Sequence, residues 1–599
     1  MRGLIRRASV AALGVAVTAL AAAPATGEEP RTITGIGNNP ANPDWGSTGS
    51  LLRRMAAAAY SDGISALARQ NLASARVISN AVMHQDTTGG VLIPDPRGLT
   101  DYAWAWGQFV DHDIDLSLTT KGEFANIAVP AGDPWFDPSG VGGVTLPFTR
   151  SVWDPLTGTG AGDPREQVNS ITSYLDSSNV YGSNGFRATW LRAMSAGLMN
   201  SITDPVAGEM PPYNDGTMPN AGGMSTSLMV AGDVRANETT TLLALQTLML
   251  REHNRLAASL SAANPAWTDE MVYQRARKIV GALMQHITYD EFLPALLGVG
   301  ALPAYTGYDP SVDPTIRSVF STAAYRMGHS MLSPIILRLD ANGQVIAAGN
   351  LEMMDSFFNP NRLLTEGGLE PVFRGLAAGQ SQRVDTKLND DVRIHLFEGV
   401  GGGPPMDLAA LNIQRGRDHG LPDYNTVRAA YGLPVRTTFD QISSDAEVVS
   451  ALESVYANVD EIDPWIGMMA EDLAPGSSVG ETIRAILVDQ FTRLRDGDRF
   501  WYENDPDLAG DLDSIHGTRL ADVIARNTAI EPGELQDNVF FLSCPGDLNG
   551  DGIVDTVDLT VLLAHWNTSS AASDLNGDGI VNGVDLAYFL NNLGSCLNG

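Results

Sequence analysis

Cysteine is almost missing from this chain: two in 599 residues. That is too few for a disulfide framework or a Cys-rich zinc fold. Positive charge is also scarce, with 38 Lys and Arg against 70 Asp and Glu and a formal net charge of −32. A surface of that sign is repelled by phosphates instead of releasing their counterions, which excludes nucleic acid as a partner. Docking on anionic lipid is disfavoured for the same reason. Beyond the first 25 residues no apolar run reaches the length of a membrane span, so none is expected in the mature chain. There is no His-Glu-x-x-His, no phosphate-binding Gly-rich loop and no Gly-x-Ser-x-Gly elbow. Between residues 60 and 540 no alternation of β-branched residues is long enough for a major sheet. Amphipathic stretches broken by Gly and Pro take its place, and the expected fold class is mainly α. The clearest helices are expected at 242–260, 270–293 and 479–494.

The first segment reads as an export signal. Arg2, Arg6 and Arg7 precede an apolar run over 8–22, and Ala23-Pro24-Ala25 supplies small residues for cleavage. The expected product is secreted or extracytoplasmic. Losing residues 1–25 removes three arginines and no acid, leaving −35. Residues 26–50 are polar and rich in Pro and Gly, and are expected to form a flexible N-terminal segment.

The C-terminal end carries two segments repeated at a spacing of 27 residues. One offers oxygen donors at Asp547, Asn549, Asp551, Asp555 and Asp558, with the backbone carbonyl of Ile553 between them. The other offers Asp574, Asn576, Asp578, Asn582 and Asp585, with the carbonyl of Ile580. A hard cation such as Ca²⁺ takes six to eight oxygens, and the Gly at loop position 6 permits the sharp turn around it. Residues 544–599 thus resemble the type I dockerin module. The resemblance implies a small α domain of two calcium loop–helix units that binds a cohesin-like protein, a link to polysaccharide breakdown. Thr556-Val557 and Gly583-Val584 stand where cellulosomal dockerins usually carry hydroxyl residues. Cys544 and Cys596 flank the pair, and a disulfide there would suit so small a core.

The middle of the chain carries the chemistry. In Trp104-Ala-Trp-Gly-Gln108-Phe-Val-Asp111-His112-Asp113, Gln108 and His112 are four apart and share a helix face. Asp111 flanks that face, and Asp113 is rotated away from it. Thr172, Tyr174, Asp176 and Ser178 alternate oxygen groups in a compact loop that could wrap a calcium, with Asp113 as a distant ligand.

Taken with Ala231-Gly-Asp-Val-Arg-Ala-Asn-Glu238, Tyr325-Arg-Met-Gly-His329 and Leu411-Asn-Ile-Gln-Arg-Gly-Arg-Asp-His-Gly420, these segments make residues 51–543 resemble the animal-type haem peroxidases of the peroxidase–cyclooxygenase superfamily. The dockerin-like fusion is similar to bacterial peroxidockerins. The resemblance implies a large helical domain holding haem b, with His329 as the iron ligand and Asn412 accepting its second imidazole N–H. It implies His112 as the distal base, Arg235 as the distal cation and Gln108 as an orienting group. Asp111 and Glu238 match the carboxylates that form esters with the haem, presented by one helix in the case of Arg235 and Glu238. Thr239 stands where myeloperoxidase-like members carry a third-link Met, so at most two links are expected. Arg326 and Arg415 match propionate partners, while His253 and His419 read as structural. The implied reaction reduces H₂O₂ and oxidises small donors (phenols, halides or thiocyanate) through a ferryl intermediate. The acidity of the chain favours neutral phenols over halides. The alternative is a fatty-acid dioxygenase of the same superfamily. Cyclooxygenases place a radical-forming Tyr where this chain has Arg326, and they lack the ester-forming acids.

Overall fold

The computed structural model describes residues 28–85, 92–400 and 403–542, and beyond them all but 543, 545, 550–552, 569, 571–572, 574, 576–579 and 596–599. The expected signal segment 1–25 therefore lies outside the described residues, as do Asp551, Asp574, Asn576, Asp578 and Cys596.

The architecture is mainly helical. Among the described residues, β-structure amounts to five two-stranded antiparallel ribbons and scattered single bridges. No described helix is long and apolar enough to cross a membrane. Five helices frame the large core: α1 (Tyr102–Ile114), α2 (Thr240–Ala263), α3 (Asp269–Ile287), α4 (Leu408–Asp418) and α5 (Glu481–Asp496). Each of the three stretches read as helical from periodicity is one. The stretch 270–293 divides, however: α3 gives way to a π-turn, Thr288–Phe292, before a short helix ending at Leu297.

Helix α1 is enclosed along most of its length, and its enclosed faces are lined chiefly by apolar side chains. Tyr102, Trp104, Trp106, Phe109, Val110 and Ile114 are each no more than 2% exposed. Helix α2 starts where it does because the Thr239 side chain accepts the Leu242 N–H. Thr268, with Asp269 and Glu270 behind it, opens α3 in the same way and complements the helix dipole.

Residues 28–50, expected to be flexible, are instead strapped across the body. Arg31 forms a bidentate pair with Asp498, which is 1% exposed, and Asn38 donates to the same carboxylate at 2.8 Å. The Tyr174 hydroxyl donates to the Trp45 carbonyl at 2.7 Å. Gly46 lies at φ +66°, where a Cβ would stand 3.0 Å from the Tyr174 ring. The composition of a loop does not reveal whether its polar groups find partners, and here they do.

The C-terminal module has its own core of Val554, Leu562, Val581 and Phe589. Its helices α6 (Thr556–Ala564) and α7 (Gly583–Asn591) each begin with a capping box, Asp555 with Asp558 and Asn582 with Asp585. Cys544 is disulfide-bonded.

The N-terminal flank of α1 is held by Asp101, whose Oδ1 accepts from Trp104 Nε1 (2.8 Å) and Ser333 Oγ (2.7 Å). A Cβ on Gly379 would sit 2.3 Å from the other oxygen, so the carboxyl is sealed in. Burial raises its pKa to about 6. The folded state thus binds the proton more tightly than the unfolded one. The stability from this group is fully present below about pH 4 and lost as pH rises to about 6, a loss of about 3 kcal/mol by linkage. Asp101→Asn keeps an acceptor oxygen without the charge. It should match the parent in urea unfolding at pH 4 and exceed it at pH 7; equal pH slopes would show that Asp101 does not titrate in this way.

Candidate active site

Helix α1 delivers Gln108, Asp111 and His112 to one region, fixed in depth by Trp106, whose Nε1 donates to Thr288 Oγ1 at 3.2 Å. His112 is buried, with Nε2 3.7 Å from Glu238 Oε2 and Nδ1 3.7 Å from Asp233 Oδ1. Gln108 Nε2 donates to Glu238 Oε2 at 3.3 Å. Arg235 Nη1 reaches Asp111 Oδ2 at 3.4 Å, and its Nη2 donates to the Asp115 carbonyl at 2.8 Å. Residues over 100 positions apart in sequence therefore form one polar group under an apolar roof.

Arg235 and Glu238 do not share a helix, contrary to expectation. They lie in the turn before α2, where the Glu238 N–H donates to the Arg235 carbonyl at 2.8 Å. The N-cap requirement explains it. Thr239 must be extended to accept from Leu242, so the helix can begin only after it.

Two residues that sequence reasoning passed over complete this bank. Asp233, 3% exposed, takes Arg235 Nε at 2.8 Å and Nη2 at 3.0 Å. Asp115 is buried beside it, with Oδ1 unpartnered among the described residues. Asp233 was visible inside Gly-Asp-Val-Arg, but nothing in the letters says that it faces His112.

Burial works against Asp233, yet Arg235 and His112 hold its carboxylate below the usual range. Burial and then the Arg235 charge push His112 down to about 3, so the imidazole is neutral at working pH. Asp111 rises to about 7 through burial and then the Asp115 charge, and Glu238 rises to about 7 chiefly through burial. Both side chains are part-open, at 29% and 21% exposed.

His329 closes the 3-10 turn Ala324–His329. Its Nδ1 lies 2.7 Å from Asn412 Nδ2 on α4, while Asn412 Oδ1 accepts from Arg326 Nη1 at 3.0 Å. The expected contact is present, and the same amide also meets Arg326 through its oxygen, so the sense of the His329 contact follows the ring's tautomer. Burial and then Arg326 lower His329 to about 3. Arg326 also acts on Asp111, which couples the two banks. Arg415 Nη1 is engaged by the Thr149 carbonyl, Ser151 Oγ and Asp418 Oδ2, all within 3.1 Å. His253 and His419 are buried and bonded by Tyr181 and the Gly197 carbonyl, and by Thr322 and Ser151.

These residues fit a haem. His112 turns Nδ1 toward Asp233 and Nε2 toward the part-open Glu238. His329, Asp111 and Glu238 are part-open, and two arginines supply charge for acidic substituents.

A second pair of acids lies behind α1. Asp113 Oδ2 accepts from the N–H groups of Asp176 (3.0 Å) and Ser177 (3.1 Å), and its Oδ1 from Asn179 (3.2 Å). Thr172 Oγ1 donates to Asp176 at 3.1 Å, and Ser178 Oγ to the Asp113 carbonyl at 2.8 Å. Burial and their mutual repulsion raise Asp113, and burial above all raises Asp176. Two adjacent buried carboxylates with hydroxyls and the Tyr174 backbone beside them suit a hard cation. No group of three or more His, Cys, Asp or Glu placed to hold a metal ion occurs among the described residues, so carbonyl and hydroxyl oxygens would complete the shell.

In the C-terminal module Asp558 and Asp585 are fully buried. Asp558 accepts the N–H groups of Leu548, Asn549 and Asp555, and Asp585 that of Asn582. The last acid of each loop thus ties loop to helix.

Residues 30–540 match the animal haem peroxidase family and residues 545–594 the dockerin type I domain. The chain belongs to the animal haem peroxidase family. It is 37% identical over 527 residues to peroxinectin A of Dictyostelium discoideum, covering 86% of this chain and 96% of that protein. It is equally identical to thyroid peroxidase of Sus scrofa over 79% of this chain, but spans only 56% of that protein. Peroxidase A from Dictyostelium discoideum superposes with a TM-score of 0.78 at 35% identity, covering 86% of this chain and all of that one. A fatty acid alpha-dioxygenase of Arabidopsis thaliana shares the fold at a TM-score of 0.72 and 20% identity, covering 86% and 83%. As a member of this family the chain is an oxidoreductase that implies haem, and its dockerin domain implies calcium.

The acid pair yields a sign-changing test. Asp176→Asn removes one of two repelling buried charges, so it should raise the melting temperature in EDTA and lower it in calcium. A shift of the same sign in both media would remove the pair from consideration as a cation site.

Proposed function

We propose that this protein is a secreted haem peroxidase that reduces H₂O₂ and oxidises small donors, phenols before halides or thiocyanate. The observation that carries the reading is the convergence of Gln108, Asp111, His112, Arg235 and Glu238 from two distant segments, with His329 on Asn412 on the opposite bank. The dioxygenase reading has only fold likeness behind it, and Arg326 stands at the position of the radical-forming Tyr.

Bound haem supplies a redox-active iron that accepts two electrons' worth of oxidation from peroxide. The chain's own residues manage protons and charge. Asp233, kept ionised by Arg235, attracts the imidazole proton to Nδ1 of His112, leaving Nε2 as the base on the Glu238 side. Nε2 takes a proton from peroxide and returns it to the leaving oxygen. Arg235 stabilises the negative charge that develops on that oxygen, and Gln108 orients water beside it. When His329 uses Nε2 as a ligand, its ring proton resides on Nδ1 and Asn412 must present Oδ1. Arg326 then loses its acceptor and is free to pair with a propionate. Arg415 is a weaker candidate for that role, given its three protein partners. Asp111 and Glu238 would form the ester links; Thr239 has no sulfur, so a third link is chemically closed.

Asp113, Thr172, Tyr174, Asp176 and Ser178 would hold one calcium. The two C-terminal loops, with Ile553 and Ile580 giving carbonyls, would hold two more. The module would dock on a cohesin-like protein. Val557 and Val584 are 53% and 48% exposed, so the matching surface has to be apolar where hydroxyl recognition is the usual pattern.

Haem-loaded protein should give a Soret change with H₂O₂ that bleaches back on adding a phenol. His112→Ala should slow the peroxide step by about 10²–10⁴-fold. Acidified organic solvent should leave haem on the parent and extract it from Asp111→Val with Glu238→Ala. Full extraction from the parent would disprove the links.

A further inference from the structure

The molecule holds a file of aromatic rings that the reaction above does not use. Tyr325 sits on the same 3-10 turn as His329, directly before Arg326. Its ring stacks on Phe320 at 4.8 Å and lies 5.7 Å from Phe491 of α5. Phe491 lies 6.0 Å from Tyr289, which sits on the π-turn after α3. Tyr289 lies 4.7 Å from Trp501, and Trp501 is 5.9 Å from Tyr305. The file ends at a surface cavity of about 280 Å³ lined by Tyr289, Asp290, Tyr305, Arg495, Trp501 and Glu503.

Packing alone does not account for these rings. The hydroxyls of Tyr325 and Tyr305 are buried without a hydrogen-bond partner among the described residues. Each costs stability that Phe would not, so the file retains oxidisable rings where inert ones would pack better. Trp501 is 2% exposed, yet its Nε1–H donates at 3.0 Å to Glu503, an exposed carboxylate. A base on the indole proton is what an oxidised tryptophan needs. Electron exchange decays steeply with the gap between rings, and here successive rings are in van der Waals contact.

We propose that this file carries oxidising equivalents from the haem site to the cavity, where Trp501 oxidises phenols on molecules too large to reach the haem. The proposal rests on the peroxidase reading above, with peroxide as the oxidant. One electron leaves Trp501 through Tyr289, Phe491 and Tyr325, and reduces by one the oxidation that peroxide left at the haem. The indole Nε1 proton passes to Glu503. A phenol in the cavity then gives up its O–H hydrogen, an electron with a proton, which restores the indole N–H. The phenoxyl radical departs, and Glu503 releases its proton to water. The site suits neutral or cationic phenols. Asp290 and Glu503 line it, and Asp496 and Asp498 act electrostatically on Tyr305, so an anionic donor is repelled.

The test uses the haem-loaded full chain with two probes, free tyramine and tyramine coupled through its amine to high-molecular-weight dextran. Trp501→Phe should lower the ratio of dextran-bound to free tyramine oxidation by about tenfold or more. Rapid freezing after peroxide should show a tryptophan radical by electron paramagnetic resonance in the parent and not in Trp501→Phe. Because Trp501 is buried, Glu503→Gln provides a milder check: it keeps the ring and should convert the deprotonated indole radical into its protonated form. An unchanged ratio, or a radical signal indifferent to both substitutions, overturns the relay. Failure to oxidise free tyramine would instead count against the peroxidase reading.

Discussion

The pairing of Arg235 with Asp233 is the interaction on which the active site depends. An arginine buried this deeply would ordinarily be drawn toward neutrality, and so would the acid. Each keeps the other charged, and the charge of the pair sets its surroundings. The guanidinium lowers the basicity of His112 and restrains Asp111, while the Asp233 charge acts on the imidazole in the opposite sense. Breaking a buried pair costs several kcal/mol because the survivor is left unpaired. Both members come from the turn before α2 that the Thr239 cap fixes, so a helix start determines where the electrostatics of the site fall.

The two banks of the site obey different constraints. On the α1 side, Asp111 and Glu238 are part-open with their protons held up toward neutrality, while buried Asp233 stays ionised. On the His329 side, a single amide decides which ring nitrogen is available. The Asn412 side chain can face His329 in two senses, and Arg326 favours the one that places the proton on Nε2. Anything that draws Arg326 away therefore also frees the Asn412 oxygen to turn toward His329. The pairing of Arg326 and the tautomer of His329 are thus linked through one amide.

Much of this was legible in the letters. Periodicity revealed the helices, and the i, i+4 relation of Gln108 and His112 placed them on one face. The paired loops declared the C-terminal module. What stayed hidden depended on partners distant in sequence. Asp233 could not be seen to face His112, because the turn carrying it meets α1 only in three dimensions. That Asn412 also serves Arg326, 86 positions away, was equally hidden. The strap of residues 28–50 looked loose because its composition is that of a loop; its order comes from Asp498 and Tyr174.

That strap has a consequence for how the chain is made. Arg31 and Asp498 are 467 residues apart, and the seam they form lies over the loop that bears Asp176. A ribosome or a translocation pore delivers the beginning of the chain long before its end. Arg31 must therefore wait for Asp498 until almost the whole body has emerged. Such long-range closure is slow because its loop entropy is paid before any contact rewards it. The seam thus closes only after Asp498 has emerged, late in the making of the catalytic body.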